Sequence, residues 1–330
     1  MSSFCSVVVA LGLLCALIPA SSLAQSASAS AAVKLPAPPI YVESFELGGL
    51  FFDDGVGVIH IRQTGSTAET DYAPGIPAAF GLLYARLTVQ PANNINGDQA
   101  FDGVCTPGAA EAINSFSCDG PFTEWGLPYG GYDGAFDTGI PITKNGAETA
   151  ISIYLDTNLA ATARASAGAT DYRFDWDSDL LDSKGGYLQD YIFNAATGQN
   201  TDSCAPASGG FYVIEASTNS QRPGANAHNP TPPNPPAVCI SKSGWYRFEH
   251  VFRPDKNKNL EVDMYILDSK NNVVASWALH PTCMGSQVTE NLCTNGSPLP
   301  FSAVGYNFLG WFPDQEINDL PIDNVQRNPL

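Results

Sequence analysis

The stretch GWYRFEHVFRPDKNKNLEVDMYILD, residues 244–268, has the pattern of two β-strands joined by a turn. Apolar and polar side chains alternate with a period of two in GWYRFEHVF (244–252) and again in LEVDMYILD (260–268), as in strands with one buried face. The segment RPDKNKN between them is polar and predicts the hairpin turn. The stretch therefore predicts an antiparallel hairpin packed on a hydrophobic core.

The alternation assigns the side chains of this hairpin to two faces. The face expected to be buried carries Tyr246, Phe248, His250 and Phe252, followed by Leu260, Val262, Met264 and Ile266. The opposite face carries Trp245, Arg247, Glu249 and Val251, followed by Glu261, Asp263, Tyr265 and Leu267. A turn at RPDKNKN would place Glu249 beside Asp263, Arg247 beside Tyr265 and Val251 beside Glu261. Because His250 falls on the apolar face, it is expected to be a buried structural residue.

Similar short alternating runs recur along the chain, bounded by Gly, Pro, Asn and Asp. We expect eleven strands, at 41–47, 57–63, 80–89, 149–157, 171–176, 187–195, 210–217, 244–252, 260–268, 272–279 and 320–326. No long run repeats apolar residues at helical spacing. The pattern predicts an all-β fold, a two-sheet antiparallel β-sandwich or jelly roll, with long loops at 90–135 and 218–240.

The amino-terminal region has the features of a secreted protein. Residues 1–24 carry no charge, contain an apolar run and end in small residues, which predicts a signal peptide cleaved near Ala24. Residues 25–39 are rich in Ser, Ala and Pro and predict a flexible tether, followed by one domain at 40–330. We therefore expect a secreted protein, extracellular, periplasmic or at the cell surface, and no segment long enough to span a membrane.

Six cysteines follow the expected signal peptide, an even number that predicts disulfides in an oxidising compartment. Each neighbouring pair brackets a loop-like stretch, which favours Cys105–Cys118, Cys204–Cys239 and Cys283–Cys293. A zinc site is the alternative, although no pair has the C-x-x-C spacing that such sites favour. The net charge of −18, from 33 acidic and 15 basic residues, argues against nucleic acid or anionic lipid as a partner.

The order of these segments resembles the concanavalin A-like lectin/glucanase superfamily, which includes laminin G-like jelly rolls. The similarity is carried by ESFEL (43–47), AISIYLDT (150–157), the hairpin with VVAS (273–276) and PIDNV (321–325), and it is closest to uncharacterised secreted bacterial members. The resemblance implies a curved jelly roll whose concave face binds or cleaves polysaccharide in relatives.

A sugar cleft and a merely solvated sheet face are both compatible with the polar side of the hairpin. In a cleft, aromatic rings would stack on sugar rings while carboxylates and guanidinium groups bind hydroxyls. The predicted ligand-binding residues are Trp245, Arg247, Glu249, Glu261, Asp263 and Tyr265, joined by Tyr154 and Arg173 if the outward faces of their strands coincide. One solvated face is, however, common in antiparallel sheets.

Catalysis is an open alternative in the sequence. Glucanases of the superfamily carry E-x-D-x-E on one strand, and Glu261 and Asp263 match its first two positions while Tyr265 occupies the third. Glu249 could supply the missing acid, so the glycosidase hypothesis rests on Glu249, Glu261 and Asp263. A polysaccharide lyase would instead need an Arg, Gln, Asn or His to neutralise a uronate and a Tyr or His as base, for which the candidates are Arg173, Arg247, Gln189, Tyr154 and Tyr265.

Calcium is the one cofactor that the sequence favours. Asp175, Asp177, Asp179 and Asp182 follow each other in DWDSDLLD (175–182), and carboxylates are hard oxygen ligands of the kind calcium takes. The EF-hand pattern fails, which leaves an irregular loop site or a plain acidic turn. Taken together, the sequence predicts a secreted carbohydrate-binding or surface protein without catalysis; a glycoside hydrolase or polysaccharide lyase is the first alternative, and a structural matrix protein is the second.

Overall fold

A computed structural model describes residues 41–46, 57–63, 65, 75–89, 122–123, 140–165, 173–184, 187–197, 209–218, 237–283, 293–294, 296–307, 310–311 and 320–330. These residues form two large antiparallel sheets, as the sequence predicts. The expected signal peptide, the tether and most of the two long loops lie outside the described residues. Among the described residues, no helix is long and apolar enough to cross a bilayer.

The first sheet has eight strands. It is built from β1 (Tyr41–Glu43), β2 (Gly57–Gln63), β3 (Leu83–Val89), β6 (Ala147–Leu155), β11 (Gly244–Pro254), β12 (Leu260–Asp268), β13 (Val273–Leu279) and β16 (Leu320–Pro329). Seven of them follow the order β13-β12-β11-β6-β16-β3-β2, and β1 pairs with β16. The predicted hairpin is therefore β11–β12.

The second sheet has six strands and lies against the first. It consists of β5 (Ile140–Pro141), β7 (Arg173–Asp182), β8 (Tyr187–Thr197), β9 (Tyr212–Thr218), β10 (Val238–Ile240) and β14 (Val304–Asn307), in the order β10-β9-β8-β7-β14-β5. A separate two-stranded sheet pairs β4 (Phe122–Thr123) with β15 (Gly310–Trp311), and a 3₁₀ turn spans Phe301–Ala303.

The core fills the space between the two large sheets with the apolar faces that the alternation predicts. Phe248 of β11 lies at its centre, with ring centroids 6.1 Å from Phe174 of β7 and 5.2 Å from Phe193 of β8. His250 is fully buried beside Phe193, with its Nδ1 3.4 Å from the Thr149 hydroxyl. Burial lowers the pKa of His250 to about 3, so the ring is neutral in the folded protein, as expected of a structural histidine.

The register of the β11–β12 hairpin differs from the prediction by two residues. Strand β11 continues to Pro254, which pairs with Leu260, and the turn shortens to Asp255–Asn259. The Asp255 carboxylate accepts hydrogen bonds from the backbone N–H groups of Asn257 and Asn259, at 2.7 and 2.8 Å, which closes this tight turn. The two faces are unchanged because a shift of two residues preserves the alternation.

One α-helix interrupts the β structure and was not expected from the sequence. Helix α1 (Thr157–Ala165) follows β6 directly, and Asp156 caps its first turn by accepting a hydrogen bond from the Asn158 backbone N–H at 2.8 Å. Its Ala-rich sequence supports helix formation without a long apolar stripe.

One of the three predicted disulfides is confirmed. Cys283 and Cys293 are bonded, with Cα atoms 5.8 Å apart, which rules out zinc ligation by this pair. Cys239 in β10 is disulfide-bonded as well. Cys105, Cys118 and Cys204 lie outside the described residues, so the other two pairings stay predictions.

Candidate functional site

The polar face of β11 and β12 points away from the core and continues onto β6. The register places Glu249 opposite Tyr265, Val251 between Asp263 and Glu148, and Arg253 opposite Glu261. We call this row of side chains the outer strip: Glu148, Arg247, Glu249, Arg253, Glu261, Asp263 and Tyr265. The predicted pairs Glu249–Asp263, Arg247–Tyr265 and Val251–Glu261 are wrong because of the register shift, but all of these residues share the predicted face.

Two arginines organise the outer strip, and each binds two carboxylates. The Arg247 guanidinium lies 2.7 Å from Glu148 Oε1 and 2.6 Å from Glu249 Oε1. Arg253 donates from Nε to Asp263 Oδ2 at 2.6 Å and from Nη2 to Glu261. Such partly exposed pairs add little stability individually, but a network of them fixes the orientation of every carboxylate in the strip.

Glu249 is the most perturbed acid of the outer strip. Burial raises its pKa from 4.5 to about 7; Arg247 opposes this increase and Glu148 adds to it. The side chain is 15% exposed, so it still reaches solvent. A carboxyl group with a pKa near 7 can hold a proton at neutral pH and release it to a reacting group.

Asp263 lies near Glu249 in a different environment. It accepts the Arg253 Nε–H and a hydrogen bond from the Tyr265 side chain, two residues along the same face. Burial, followed by the charge of Asp263, raises the pKa of the Tyr265 hydroxyl. The strip thus combines a carboxyl group that holds its proton up to about pH 7 with a carboxylate held by two donors, an arrangement typical of acid–base sites.

At one end of the outer strip, an open depression of about 490 Å³ lies next to Trp245. Tyr154 and Arg247 line it, together with Ser152 and Asp268. The Trp245 ring is edge-on to Tyr154, at 5.5 Å between centroids. Tyr154 therefore lies on the same face as Trp245, as the alternation of its strand predicts.

Trp245 is a poor surface for stacking a sugar ring. It is only 9% exposed, and its Nε1 donates to the Pro77 carbonyl oxygen at 2.5 Å. Its ring also contacts Tyr84 edge-on, at 5.7 Å. Trp245 borders the depression but mainly supports the chain segment above it.

That segment, residues 75–82, is here called the strap. Two acids anchor it: Glu46 Oε1 accepts the backbone N–H groups of Leu82 and Leu83, both at 2.6 Å, and Asp323 Oδ2 accepts that of Phe80 at 2.8 Å. Asp323 is fully buried, and burial raises its pKa to about 7, while hydrogen bonds from the backbone N–H groups of Phe80, Asn324 and Ala79 lower it.

Sequence reasoning missed four residues of this region. The expected strands at 149–157 and 244–252 are too short at one end. They leave Glu148 before its strand and Arg253 in the turn. Their continued alternation with Ala150 and Val251 was the available signal. Glu46 and Asp323 act through contacts distant in sequence, for which the sequence holds no signal.

Arg173 and the acidic run lie elsewhere, in β7 of the second sheet. Arg173 is therefore not on the strand face that carries Tyr154 and Trp245. The segment containing Asp175, Asp177, Asp179 and Asp182 is a strand, which corrects its expected placement in a loop or turn. The described residues contain no group of three or more His, Cys, Asp or Glu placed to hold a metal ion, and calcium binding stays a prediction.

Known proteins resemble this chain only weakly. No family model matches the chain, and no curated protein matches it. Among solved structures, an endo-β-1,4-glucuronan lyase from the fungus Trichoderma reesei is 8% identical, with a TM-score of 0.36, over 89% of this chain and 96% of that one. A PL-14 alginate lyase from Aplysia kurodai is 11% identical, with a TM-score of 0.29, over 68% of this chain and 87% of that one. At TM-scores this low, neither match carries an argument about the activity of this chain.

Proposed function

We propose that the outer strip binds a polysaccharide and that the protein cleaves it, with Glu249 as the proton donor to the glycosidic oxygen. The observation that carries this proposal is the pKa of Glu249, which burial raises to about 7, beside carboxylates that arginines hold in place. A face that serves solubility alone has no need of a largely covered acid that titrates near neutrality.

The register suggests how hydrolysis would proceed. Glu249 pairs with Tyr265, and Asp263 lies one diagonal away on the same face, so the backbone positions of the two acids are roughly 7–8 Å apart. Side chains at that spacing can place their carboxyl groups at the roughly 6.5–9.5 Å that inverting glycosidases use, with room for a water molecule. Glu249 would protonate the leaving oxygen as the C1–O bond breaks, and Asp263 would take a proton from the water that attacks C1.

The rest of the outer strip is suited to holding the polymer. Carboxylates accept hydrogen bonds from sugar hydroxyls, and the guanidinium groups of Arg247 and Arg253 can donate to ring and hydroxyl oxygens. The proposal includes secretion by the predicted signal peptide, which would bring the protein into contact with extracellular polysaccharide.

Non-catalytic, lectin-like binding is the second candidate. It is favoured by the ion pairs that Arg247 and Arg253 each make with two carboxylates, since such a network holds a binding surface in place without further chemistry. Between the two candidates, the pKa of Glu249 favours cleavage, because binding alone does not require a proton donor.

The test is incubation of the mature protein with soluble polysaccharides: laminarin, xyloglucan, alginate and polygalacturonate. Retention on each polymer, release of reducing ends and formation of unsaturated products are measured, with calcium and with a chelator. Reducing ends without unsaturation support hydrolysis. Unsaturated products would indicate a lyase, retention without products would indicate a lectin, and no retention would reject polysaccharide as the ligand. A loss of activity with the chelator would support the calcium prediction.

A further inference from the structure

The strap carries exposed apolar side chains next in sequence to residues that line the depression. Phe80 is 54% exposed and Leu82 is 61% exposed. The three residues that precede Phe80 in the strap line the depression, together with Tyr154 and Arg247. Phe80 and Leu82 lie two residues apart and together form a small exposed apolar patch, and such a patch rimmed by polar residues can mark a ligand-binding surface.

The strap is held rigidly despite its exposure. The buried Asp323 carboxylate accepts the Phe80 N–H at 2.8 Å, and Glu46 accepts the Leu82 and Leu83 N–H groups. Below the strap, Trp245 donates its indole N–H to Pro77. Because the strap backbone is already ordered by these hydrogen bonds, packing of a ligand on Phe80 would cost little further conformational entropy of the protein.

We propose that Phe80, flanked by Leu82, is the stacking platform for one sugar ring of the polysaccharide at this end of the outer strip. This inference rests on the proposed polysaccharide binding. It assigns to Phe80 the stacking role predicted for Trp245, whose ring is almost entirely covered. The apolar C–H face of a pyranose would lie on the Phe80 ring, and its hydroxyls would reach the polar side chains of the depression.

The experiment is affinity electrophoresis of the full mature protein in native gels that contain laminarin, xyloglucan, alginate or polygalacturonate. For whichever polymer retards the wild-type protein, Phe80→Ala is expected to weaken binding on the order of tenfold, as for truncation of an aromatic anchor. Phe80→Trp is expected to restore it, and the fluorescence of the new indole is expected to change when the polymer is added. Rescue by another aromatic residue separates stacking from a structural role.

Leu330→Ala is the matched control, because Leu330 is an exposed apolar residue at the far end of the strand that carries Asp323. It is expected to bind as the wild type does. Wild-type retardation with unchanged binding by Phe80→Ala overturns the platform and leaves the proposed function standing. An equal loss in Leu330→Ala overturns it as well. Absence of wild-type retardation by every polymer overturns both proposals.

Discussion

The outer faces of the two sheets carry similar residues in very different surroundings. In the first sheet, Glu148 and Glu249 are paired with Arg247 and remain in contact with solvent. In the second sheet, Asp177 and Glu215 are fully buried on the face opposite the core. Alternation in the sequence marks both faces as polar. The difference shows that alternation identifies which side chains leave the core, whereas burial of that outer face depends on tertiary structure.

The largest difference between the two faces is expected in catalysis. Glu249→Gln removes the proposed proton donor and is expected to lower turnover of a cleaved polymer by about 10²–10⁴-fold, the usual contribution of general acid catalysis. Glu215→Gln makes the same chemical change on the second sheet and is expected to keep the activity within about twofold of the wild type, since it leaves the proton donor in place. The measurement is the initial rate of reducing-end release by the two folded variants. Equal losses of activity in both would contradict the assignment of Glu249 as the proton donor.

The pH dependence of the cleavage rate is expected to follow the ionisation of the Glu249 carboxyl group. Because its pKa is about 7, the protonated form is lost as the pH rises above 7, and the rate should fall by about tenfold per pH unit. Measurement of kcat/KM between pH 5 and 9 with the wild-type protein would show this decrease above pH 7, the alkaline limb of the pH profile. The residual activity of Glu249→Gln should lack it, and a limb that persists in this variant would assign the proton donor to another group.

The loss of folding stability is expected to be larger for a substitution on the second sheet than for one on the first sheet. On the second sheet, Ser217 donates to Asn194 Oδ1 at 2.5 Å in a buried site, so Asn194→Ala leaves the hydroxyl without this acceptor. The expected cost is about 1–3 kcal/mol. Glu148→Gln on the first sheet weakens a partly exposed ion pair and should cost less than about 1 kcal/mol. Urea unfolding of both variants measures the two values, and a larger loss for Glu148→Gln would reverse the comparison.

The hairpin illustrates how much of this could be predicted from the sequence. Its two faces follow from the alternation, because backbone geometry places every second residue on the same side of a strand. The register does not follow, because it depends on where the turn closes, and Asp255 closes it two residues later than the polar run suggested. The sequence therefore predicted most members of the outer strip but not their pairing.

The remaining parts of the site depend on contacts between distant segments. Glu46 and Asp323 are separated by most of the chain, yet both anchor the strap. The sequence predicts an exposed Trp245 because the segment that covers its ring, which includes Pro77, is distant in the chain. Helix α1 was missed because a nine-residue helix with a weak apolar stripe has little periodic signal.

The most direct test of the central claim is the ionisation of Glu249 itself. The carboxyl ¹³C chemical shift of Glu249, assigned by its loss in Glu249→Gln, would be followed by NMR between pH 3 and 9. A titration midpoint near pH 7 is expected, because partial burial raises the pKa of this carboxyl group. A midpoint near the ordinary value of 4.5 would contradict this expectation, because the outer strip would then hold no proton donor at neutral pH.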